Sequence, residues 1–270
     1  MKKILITIMT LMLASKILSA QESGFRLTTA AVGMSMDYTE YISNNEPYSA
    51  EYSDFTQMVG GELILDYVKV LENNNYSELG LNMMLLVGET DYTGASCYPS
   101  LGYCDEFGSL HEQTNNMILE VAVKYEYSYV YETGLEFKYG VGLGYRKWIR
   151  ELNRSMIETY SWFSIRPKMA LTYQSNIFSI GAKIEYQYGL YPEMILDLYP
   201  STYVTLALGA ANITKLSFPI KYKISETIDI YGEYVYEVQI IEESNIVEGW
   251  REPRSEANNQ YLKFGTIYKF

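Results

Sequence analysis

The chain has 270 residues, of which 48% are hydrophobic and 20% are charged, a composition that excludes a disordered chain and allows a sizeable core. Tyrosine is unusually frequent, with 28 residues, whereas the two cysteines and single histidine are too few for a four-ligand zinc site built from those residue types. The formal net charge of -12 excludes the basic footprint of a nucleic-acid binder, so we expect no nucleic-acid partner.

The chain begins with a pattern typical of a secretory signal. Lys2 and Lys3 precede an apolar run over 4–13, and the small residues Ser19 and Ala20 follow it. This run is too short to cross a bilayer as a helix. We therefore predict that 1–20 is a signal peptide, cut after Ala20, and that 21–270 forms one exported domain.

Beyond the signal, no run of 18 apolar residues occurs, and the sequence instead alternates with a period of two. Over 135–145, aliphatic or aromatic residues occupy every odd position, and glycine or charged residues occupy every even position. Comparable segments predict about ten strands, near 25–38, 57–71, 76–89, 116–127, 133–147, 159–174, 177–188, 204–224, 227–241 and 258–270.

The connections between these segments alternate in length. Short turns are predicted near 72–75, 128–132, 175–176 and 225–226, and longer polar segments near 39–56, 90–115, 148–158, 189–203 and 242–257. This sorting is typical of barrels that cross an outer membrane. The fold class is therefore all-β, an antiparallel transmembrane β-barrel of about 10 strands (8 or 12 also fit), with short periplasmic turns and long external loops.

Two features depart from regular alternation. Pro167 and Pro219 fall inside predicted strands, and we expect both at bulges or rims because proline cannot donate a ladder hydrogen bond. The stretch 190–212 fits either one long bent strand or a strand plus a loop element, since the alternation changes phase at Gly209.

The alternating segments carry their charges on one face. That face must point into the barrel, because a charge facing lipid costs about 2–4 kcal/mol at the bilayer midplane. The interior of a barrel of about ten strands is almost filled by side chains. We predict that the inward acids and bases pair and occlude the lumen, in a network of Glu120, Lys124, Glu136, Lys138, Arg146, Arg166, Lys168, Lys183 and Glu185.

The chain ends in an alternating strand that closes with Phe270, and Leu262, Phe264 and Tyr268 lie on the same face. With the signal and the sorted connections, this strand resembles the closing strand of bacterial outer-membrane β-barrel proteins, here a small, porin-like one. In that family the terminal aromatic strand is read by the barrel-assembly machinery, so the resemblance implies this role for Phe270, Tyr268, Phe264 and Leu262. It also implies a Gram-negative outer-membrane location reached through the periplasm. The implied partners are periplasmic chaperones, the assembly machinery, outer-membrane lipid and lipopolysaccharide, and the oligomeric state stays open.

Cys97 and Cys104 lie close together in the second long connection. Because an exported chain meets an oxidising compartment, and because Pro99 and Gly102 favour a turn between the two cysteines, we predict a disulfide. Metal binding by both thiolates with His111 is the alternative.

The sequence carries few candidates for catalysis. Glu89 and Asp91 have the i, i+2 spacing of one half of the omptin protease site, but no matching Asp-x-His occurs, and His111 is followed only by Glu112. We therefore expect no enzyme, no cofactor and no metal. The predicted function is a structural or surface-interaction barrel with a mostly occluded lumen. The alternatives are a narrow porin-like channel for small solutes or ions and, third, a hydrolase at the barrel rim.

Overall fold

A computed structural model describes residues 23–42, 46–95, 97–98, 103–104, 106–153, 156–198 and 202–270. The predicted signal peptide, 1–20, lies outside the described residues, so it stays a prediction. Almost all described residues are in strands, as the alternation predicts. No helix within the described residues is long and apolar enough to cross a membrane.

The strands follow one another as antiparallel neighbours and are numbered in chain order. They are β1 (Gly24–Ile42), β2 (Glu46–Val70), β3 (Tyr76–Gly94), β4 (Cys97–Tyr98), β5 (Tyr103–Cys104), β6 (Leu110–Val130), β7 (Leu135–Asn153), β8 (Met156–Gln174), β9 (Phe178–Leu198), β10 (Thr202–Ala207), β11 (Ala211–Lys223), β12 (Ile228–Ile241) and β13 (Arg254–Lys269). A short 3-10 helix, Glu72–Asn74, occupies the turn between β2 and β3.

The main sheet closes on itself. β1 pairs with both β2 and β13, and β9 pairs with β8 on one side and with β10 and β11 on the other. β10 and β11 together act as one barrel strand, interrupted at 208–210. In the part of the chain that the structure describes, the barrel therefore has ten strands, while β4 and β5 form a separate hairpin.

The ambiguous stretch 190–212 resolves into the upper part of β9, a turn and β10. The ladder between β9 and the β10–β11 strand has no residue pairs between Tyr188 and Glu193 of β9, where a backbone hydrogen bond from Leu208 to Pro192 remains at 3.0 Å. The register between β8 and β9 shifts there by one residue. Tyr191 takes a left-handed backbone with a φ of 52°. Each strand consequently changes which of its positions face the interior, which is the phase change seen in the sequence at Gly209.

Two expectations about local structure are wrong. Four of the five segments predicted as long polar connections are mostly strand: β2 begins at Glu46, β6 at Leu110, and β9 continues to Leu198. The fifth, near 242–257, is a connection over 242–253, as predicted. Polar residues on the outer face do not end a strand that has left the bilayer, because water then replaces lipid.

The two prolines also lie within regular ladders. Pro167 pairs with Val141, and Pro219 pairs with Glu233, without any register shift. Backbone pairs between β8 and β9 are missing at Pro167, and backbone pairs between β11 and β9 are missing at Pro219. Each proline therefore leaves one local gap in its ladder with β9, and neither needs a bulge.

The outer face defines the membrane-spanning part. Uncharged side chains, mostly aliphatic and aromatic, face outward within 25–33, 59–67, 79–87, 117–131, 137–145, 163–173, 178–188, 216–224, 228–236 and 262–270. We call this band the apolar belt. Gly24 and Phe270 lie at the end predicted to be periplasmic, and the opposite end, predicted to be external, extends well beyond the belt.

Candidate functional site

The interior at the level of the apolar belt is a network of ion pairs. Its inward cations are Arg26, Lys124, Lys138, Arg146, Arg166, Lys168, Lys183, Lys215, Lys221, Lys223, Lys263 and Lys269. Its inward carboxylates are Glu62, Asp66, Glu78, Glu120, Glu126, Glu136, Glu185, Asp229, Glu233 and Glu237. We call these residues the lumen network. Charges are inside because lipid surrounds the outside.

The centre of the network joins strands on opposite sides of the barrel. Arg146 reaches Glu237 at 3.2 Å and Glu120 at 3.2 Å, and Arg166 reaches Glu120 at 2.6 Å. Lys215 lies 3.1 Å from both of those carboxylates. These pairs bring β6, β7 and β8 into contact with β11 and β12, so the network crosses the lumen.

The periplasmic part of the network centres on Lys124 and Glu78. The Lys124 ammonium contacts Glu78 at 2.6 Å, Glu126 at 2.9 Å and Asp66 at 3.0 Å. Lys138 bridges Glu78 and Glu136, and Lys168 reaches Glu126 at 3.2 Å. Two residues of the predicted network remain to be placed. Lys183 pairs with Glu233 at 2.9 Å, and Glu185 accepts a hydrogen bond from Gln187 at 2.8 Å.

Glycines give the long side chains room. A Cβ built on Gly144 would lie 2.3 Å from the Arg166 guanidinium carbon, and one built on Gly80 would lie 2.3 Å from the Lys124 stem. Among these paired groups a cavity of about 100 Å³ remains, between Glu62, Glu120, Lys168, Lys183 and Glu233. The glycines of the alternating segments therefore serve packing inside the barrel.

From the external edge of the belt upward, the interior has a different character. A cluster of buried apolar and aromatic side chains fills it, drawn from strands all round the barrel. They include Met34, Met36, Tyr38, Met58, Leu86, Ile118, Trp148, Tyr160, Trp162, Met194, Leu196, Val204, Leu206, Leu208, Ala211, Ile213, Ile241 and Ala257. We call this cluster the apolar plug.

The external end of the plug carries an acidic cluster around one arginine, which the sequence reasoning missed. The Arg150 side chain is fully buried and contacts Glu51 at 2.6 Å, Glu158 at 2.7 Å and Glu40 at 2.8 Å. Its guanidinium lies 4.6 Å from the centre of the Tyr38 ring. Tyr160 donates a hydrogen bond to Glu252 at 2.5 Å. We call Arg150, Tyr38, Glu40, Glu51, Glu158, Tyr160 and Glu252 the mouth cluster.

Three carboxyl groups thus share one guanidinium away from water, and a fourth, Glu252, is held by the Tyr160 hydroxyl. Burial raises the pKa of Glu158 to about 7, and burial together with the nearby Glu158 and Glu40 raises the pKa of Glu252 well above its ordinary value. Both groups lie outside the apolar belt. The cluster therefore holds protons at a pH where ordinary glutamates are ionised.

The residues considered for catalysis face away from this cluster. His111 lies on β6, not in a loop; it is exposed on the outer wall, and its Nδ1 is 3.3 Å from Thr93 Oγ1. Glu89 and Asp91 are also exposed on the outer face of β3. The structure does not bring these residues together with any interior acid.

Cys97 and Cys104 face each other in the β4–β5 hairpin as a backbone pair. Their side chains lie outside the described residues, so the disulfide stays a prediction. Within the described residues, no group of three or more His, Cys, Asp or Glu side chains is arranged to hold a metal ion.

The terminal strand closes the barrel against β1. Phe270 exchanges backbone hydrogen bonds with Phe25, at 2.7 and 3.0 Å, and their rings stack at 6.2 Å. Leu262, Phe264, Tyr268 and Phe270 all point outward into the apolar belt. Their role as an assembly signal stays a prediction.

Comparisons with known proteins support the architecture. No protein-family model and no curated protein sequence matches this chain. Among solved structures, the outer membrane protease OmpT from Escherichia coli aligns with a TM-score of 0.56 at 12% identity, covering 94% of this chain and 99% of OmpT. The translocator domain of the autotransporter NalP from Neisseria meningitidis aligns with a TM-score of 0.44 at 9% identity, covering 94% of this chain and 91% of that domain. The β domain of the Bordetella autotransporter BrkA aligns with a TM-score of 0.44 at 14% identity, covering 92% of this chain and all of that domain.

One of these comparisons corrects an expectation. We predicted that the chain is not an enzyme, and OmpT contradicts that prediction because a protease has the same barrel fold. At 12% identity the likeness itself establishes the fold alone. The closed antiparallel barrel, its apolar belt and the likeness to OmpT give this chain the fold of the bacterial outer-membrane β-barrel proteins.

Proposed function

We propose that this chain is an integral outer-membrane protein with a closed lumen, and that it works through the part of the barrel that extends beyond the membrane. Its role there is structural or is the binding of a surface partner. Outer-membrane lipid, lipopolysaccharide and the assembly machinery are the partners that this location brings. The apolar plug is the observation that carries the proposal.

The plug supports a closed lumen because it lies in series with the lumen network along the barrel axis. Trp148, Trp162 and Leu206 are each about 1% exposed. Water and ions would have to displace these packed apolar side chains, which no small solute can do without opening a cavity. The network alone could open a thread of water through exchange of ion pairs. Most of the plug is aliphatic or aromatic, and polar atoms such as the Trp148 Nε1 and the Tyr160 hydroxyl are held by Asn116 and Glu252.

Planar-bilayer recording on refolded protein tests this proposal against the alternative of a narrow channel. The unmodified barrel should show no openings or only small ones. Replacing Arg146, Arg166 and Lys168 by alanine should leave the conductance low, because the plug stays intact. Combining those changes with Trp148→Ala and Trp162→Ala should raise it. A large, steady conductance in the unmodified protein would overturn the closed lumen in favour of a channel.

A second candidate, hydrolysis at the mouth cluster, is favoured by the pair Glu158 and Glu252. The Tyr160 hydroxyl contacts both, at 3.1 and 2.5 Å, and the raised pKa of each carboxyl keeps it protonated at a higher pH than an ordinary glutamate. General acid catalysis uses such a group. Both carboxyls are buried, so a substrate could reach them only after movement of 242–253, the segment that carries Glu252.

Peptides are the first substrates to test, because OmpT is a protease of this fold. A mixture of fluorogenic peptides should be cleaved by the refolded protein, and Glu158→Gln and Glu252→Gln should each abolish cleavage. Glu193→Gln is the matched control, since Glu193 is exposed on the outer wall. Cleavage that persists in both buried variants would remove this candidate.

A further inference from the structure

The barrel wall is incomplete on its external side, between β10 and β13. At the level of β11 the wall is continuous, because β11 pairs with β9 on one side and with β12 on the other. Further out, β10 pairs only with β9, since β12 ends at Ile241 and β13 begins at Arg254. Within the described residues, β10 therefore has one edge that no strand covers.

One contact shows which backbone groups point to this edge. The Asn245 N–H donates to the Ala207 carbonyl oxygen at 3.1 Å, and the Asn245 side-chain oxygen accepts the Ala207 N–H at 2.9 Å. Backbone groups change direction at each residue along a strand, so Thr205 and Tyr203 direct theirs to the same side as Ala207. Asn245 thus covers the first position of the edge, and no described strand pairs with the next two.

The connection that carries Asn245 turns back on itself and does not run along β10. Val247 and Trp250 exchange two backbone hydrogen bonds, at 3.0 and 2.8 Å. Glu248 and Gly249, between them, have φ angles of 52° and 87°, as a tight hairpin turn requires. The edge of β10 beyond Ala207 is therefore left to another strand.

This edge lacks the features that usually protect an exposed strand. Charged side chains, proline and bulges normally prevent edge pairing, and Thr202–Ala207 contains none of them. Val204 and Leu206 are buried in the apolar plug, which holds the strand in place. Tyr203 and Thr205 are exposed on the outer face, where an aromatic and a β-branched side chain favour cross-strand pairing.

The surroundings of the edge are acidic. On the outer face of β9 beyond the belt and over 242–254, the carboxylates are Glu193, Asp197, Glu242, Glu243 and Glu248, and the cations are Arg251 and Arg254. Glu193 and Asp197 lie next to the edge strand, because they pair with Ala207 and Tyr203. Two copies joined edge to edge would bring these carboxylates together, whereas a basic strand would be attracted.

We propose that the open edge of β10 binds an extended, basic segment of a partner protein, which adds to the wall as a further strand. Hydrogen bonds to the backbone of Tyr203 and Thr205 supply affinity, and alternate Lys or Arg side chains meet the acidic surroundings and the Tyr203 ring. The site rests on the surface-binding role proposed above. Its failure would leave the closed lumen standing, because conductance tests that separately.

Binding of a synthetic peptide tests the site. The probe is fluorescein-labelled Lys-Val-Lys-Thr-Lys-Val-Lys, whose anisotropy is followed as refolded protein in a maltoside detergent is titrated at constant ionic strength. We expect saturable binding, and an affinity at least roughly tenfold weaker for the peptide with glutamate in place of each lysine. The basic peptide N-methylated at every residue keeps its charges but loses its N–H donors, and it should also bind roughly tenfold more weakly.

Thr205→Pro tests the edge from the side of the protein. It removes an N–H that points to the open edge and leaves the ladder with β9 intact, so it should weaken binding roughly tenfold. Thr205→Val keeps the N–H and is the matched control, with an affinity like that of the unmodified protein. Heat-modifiable migration in electrophoresis checks folding, and the N-methylated peptide tests the edge without a substitution should Thr205→Pro fail to fold.

Three results would overturn the proposal. The first is absence of saturable binding of the basic peptide to the unmodified protein. The second is equal affinity for the N-methylated peptide, or equal binding by Thr205→Pro and Thr205→Val, which would reduce the effect to attraction by the acidic wall. The third is dimerisation of the unmodified protein that Thr205→Pro abolishes in analytical ultracentrifugation without peptide, which would assign the edge to a second copy.

Discussion

The two halves of this barrel solve opposite problems with the same strands. Within the apolar belt, Leu81, Leu85 and Leu143 face outward, and the lumen network faces inward. Beyond the belt, charged residues such as Glu89, Lys147 and Glu193 face outward, and the apolar plug faces inward. The reversal shows that the medium outside the wall, lipid or water, decides which face of a strand is apolar.

The reversal also divides the sources of stability. In the belt half, lipid covers the apolar face, and the charged interior must be compensated pair by pair. In the external half, burial of the plug away from water contributes as it does in a soluble protein core. Substitutions at equivalent positions in the two halves should therefore have different consequences.

The largest effect is expected at Arg150. Arg150→Met leaves three contacting carboxylates buried without their cation, and breaking a buried ion pair in this way costs about 3–5 kcal/mol. Denaturant unfolding of the refolded protein in detergent measures the loss. Arg254→Met, at a partly exposed cation on β13, should change the free energy of unfolding by under about 1 kcal/mol. Equal losses in the two variants would show that the mouth cluster is not a buried network.

Two adjacent leucines of β3, at the external edge of the belt, test which face of the strand is packed inside the barrel. Leu86 is fully buried in the plug, whereas Leu85 is 46% exposed on the lipid face. Leu86→Ala should destabilise the barrel by about 2–5 kcal/mol through lost burial and a cavity. Leu85→Ala should cost far less, because lipid can fill the space. A reversed order of the two unfolding free energies would contradict the assignment of faces.

Charge on the outer wall should be penalised only within the belt. Leu81→Arg places a cation against lipid, at a cost of about 2–4 kcal/mol near the midplane. Thr159→Arg places the same cation on the outer face of β8 above the belt, where water solvates it, and should be close to neutral. The folded fraction recovered in lipid vesicles compares them: equally low recovery would place Thr159 within the membrane, and equally high recovery would contradict the lipid-facing position of Leu81.

The smallest effect is a local one that depends on pH. The folded-state pKa of Glu158, about 7, lies above the ordinary 4.5, so the folded protein holds this proton more tightly than the unfolded chain does. The mouth cluster should lose stability as the pH rises from about 4.5 through 7. Above that pH, Glu158 should cause little further change in stability. Glu252, whose pKa is also raised, extends the loss to higher pH.

Hydrogen exchange of 242–253 follows this effect directly. Amide exchange there, corrected for its intrinsic pH dependence, should accelerate between pH 5 and 8 in the unmodified protein. Glu158→Gln should flatten that response, and Glu193→Gln should leave it unchanged. An equal response in Glu158→Gln would mean that another group controls the segment.

The sequence predicts the belt half well and the external half poorly, for a physical reason. Alternation locates ten strands and their inward charges because lipid tolerates no outward charge. On β1, however, the residues Met34, Met36 and Tyr38 are apolar and point inward. A rule that every apolar side chain of an alternating strand faces lipid would wrongly place these three on the outer wall. The outward charges Asp37 and Lys147 are the signal that marks where this rule fails.

The mouth cluster could not be predicted from spacing. Arg150 and its partners Glu40 and Glu51 are separated by 110 and 99 positions, so only the closed barrel brings them together. His111 and Glu89 were candidates for catalysis because they lie near a predicted loop. Both occupy odd-numbered positions of β6 and β3, and in these strands the odd-numbered side chains point outward. The exact ends of the two strands were needed to see this.

The interrupted ladders around β9 affect where the barrel wall opens locally. Pro167 and Pro219 each leave a gap facing this strand, and the ladder on its β10–β11 side also fails between Tyr188 and Glu193. Local opening follows the backbone hydrogen bonds that must break nearby, so the amides of β9 beside these gaps should exchange faster than those in its unbroken stretches. The gaps would then divide β9 into short stretches that can open separately, so exchange along this strand should report several local events and not one.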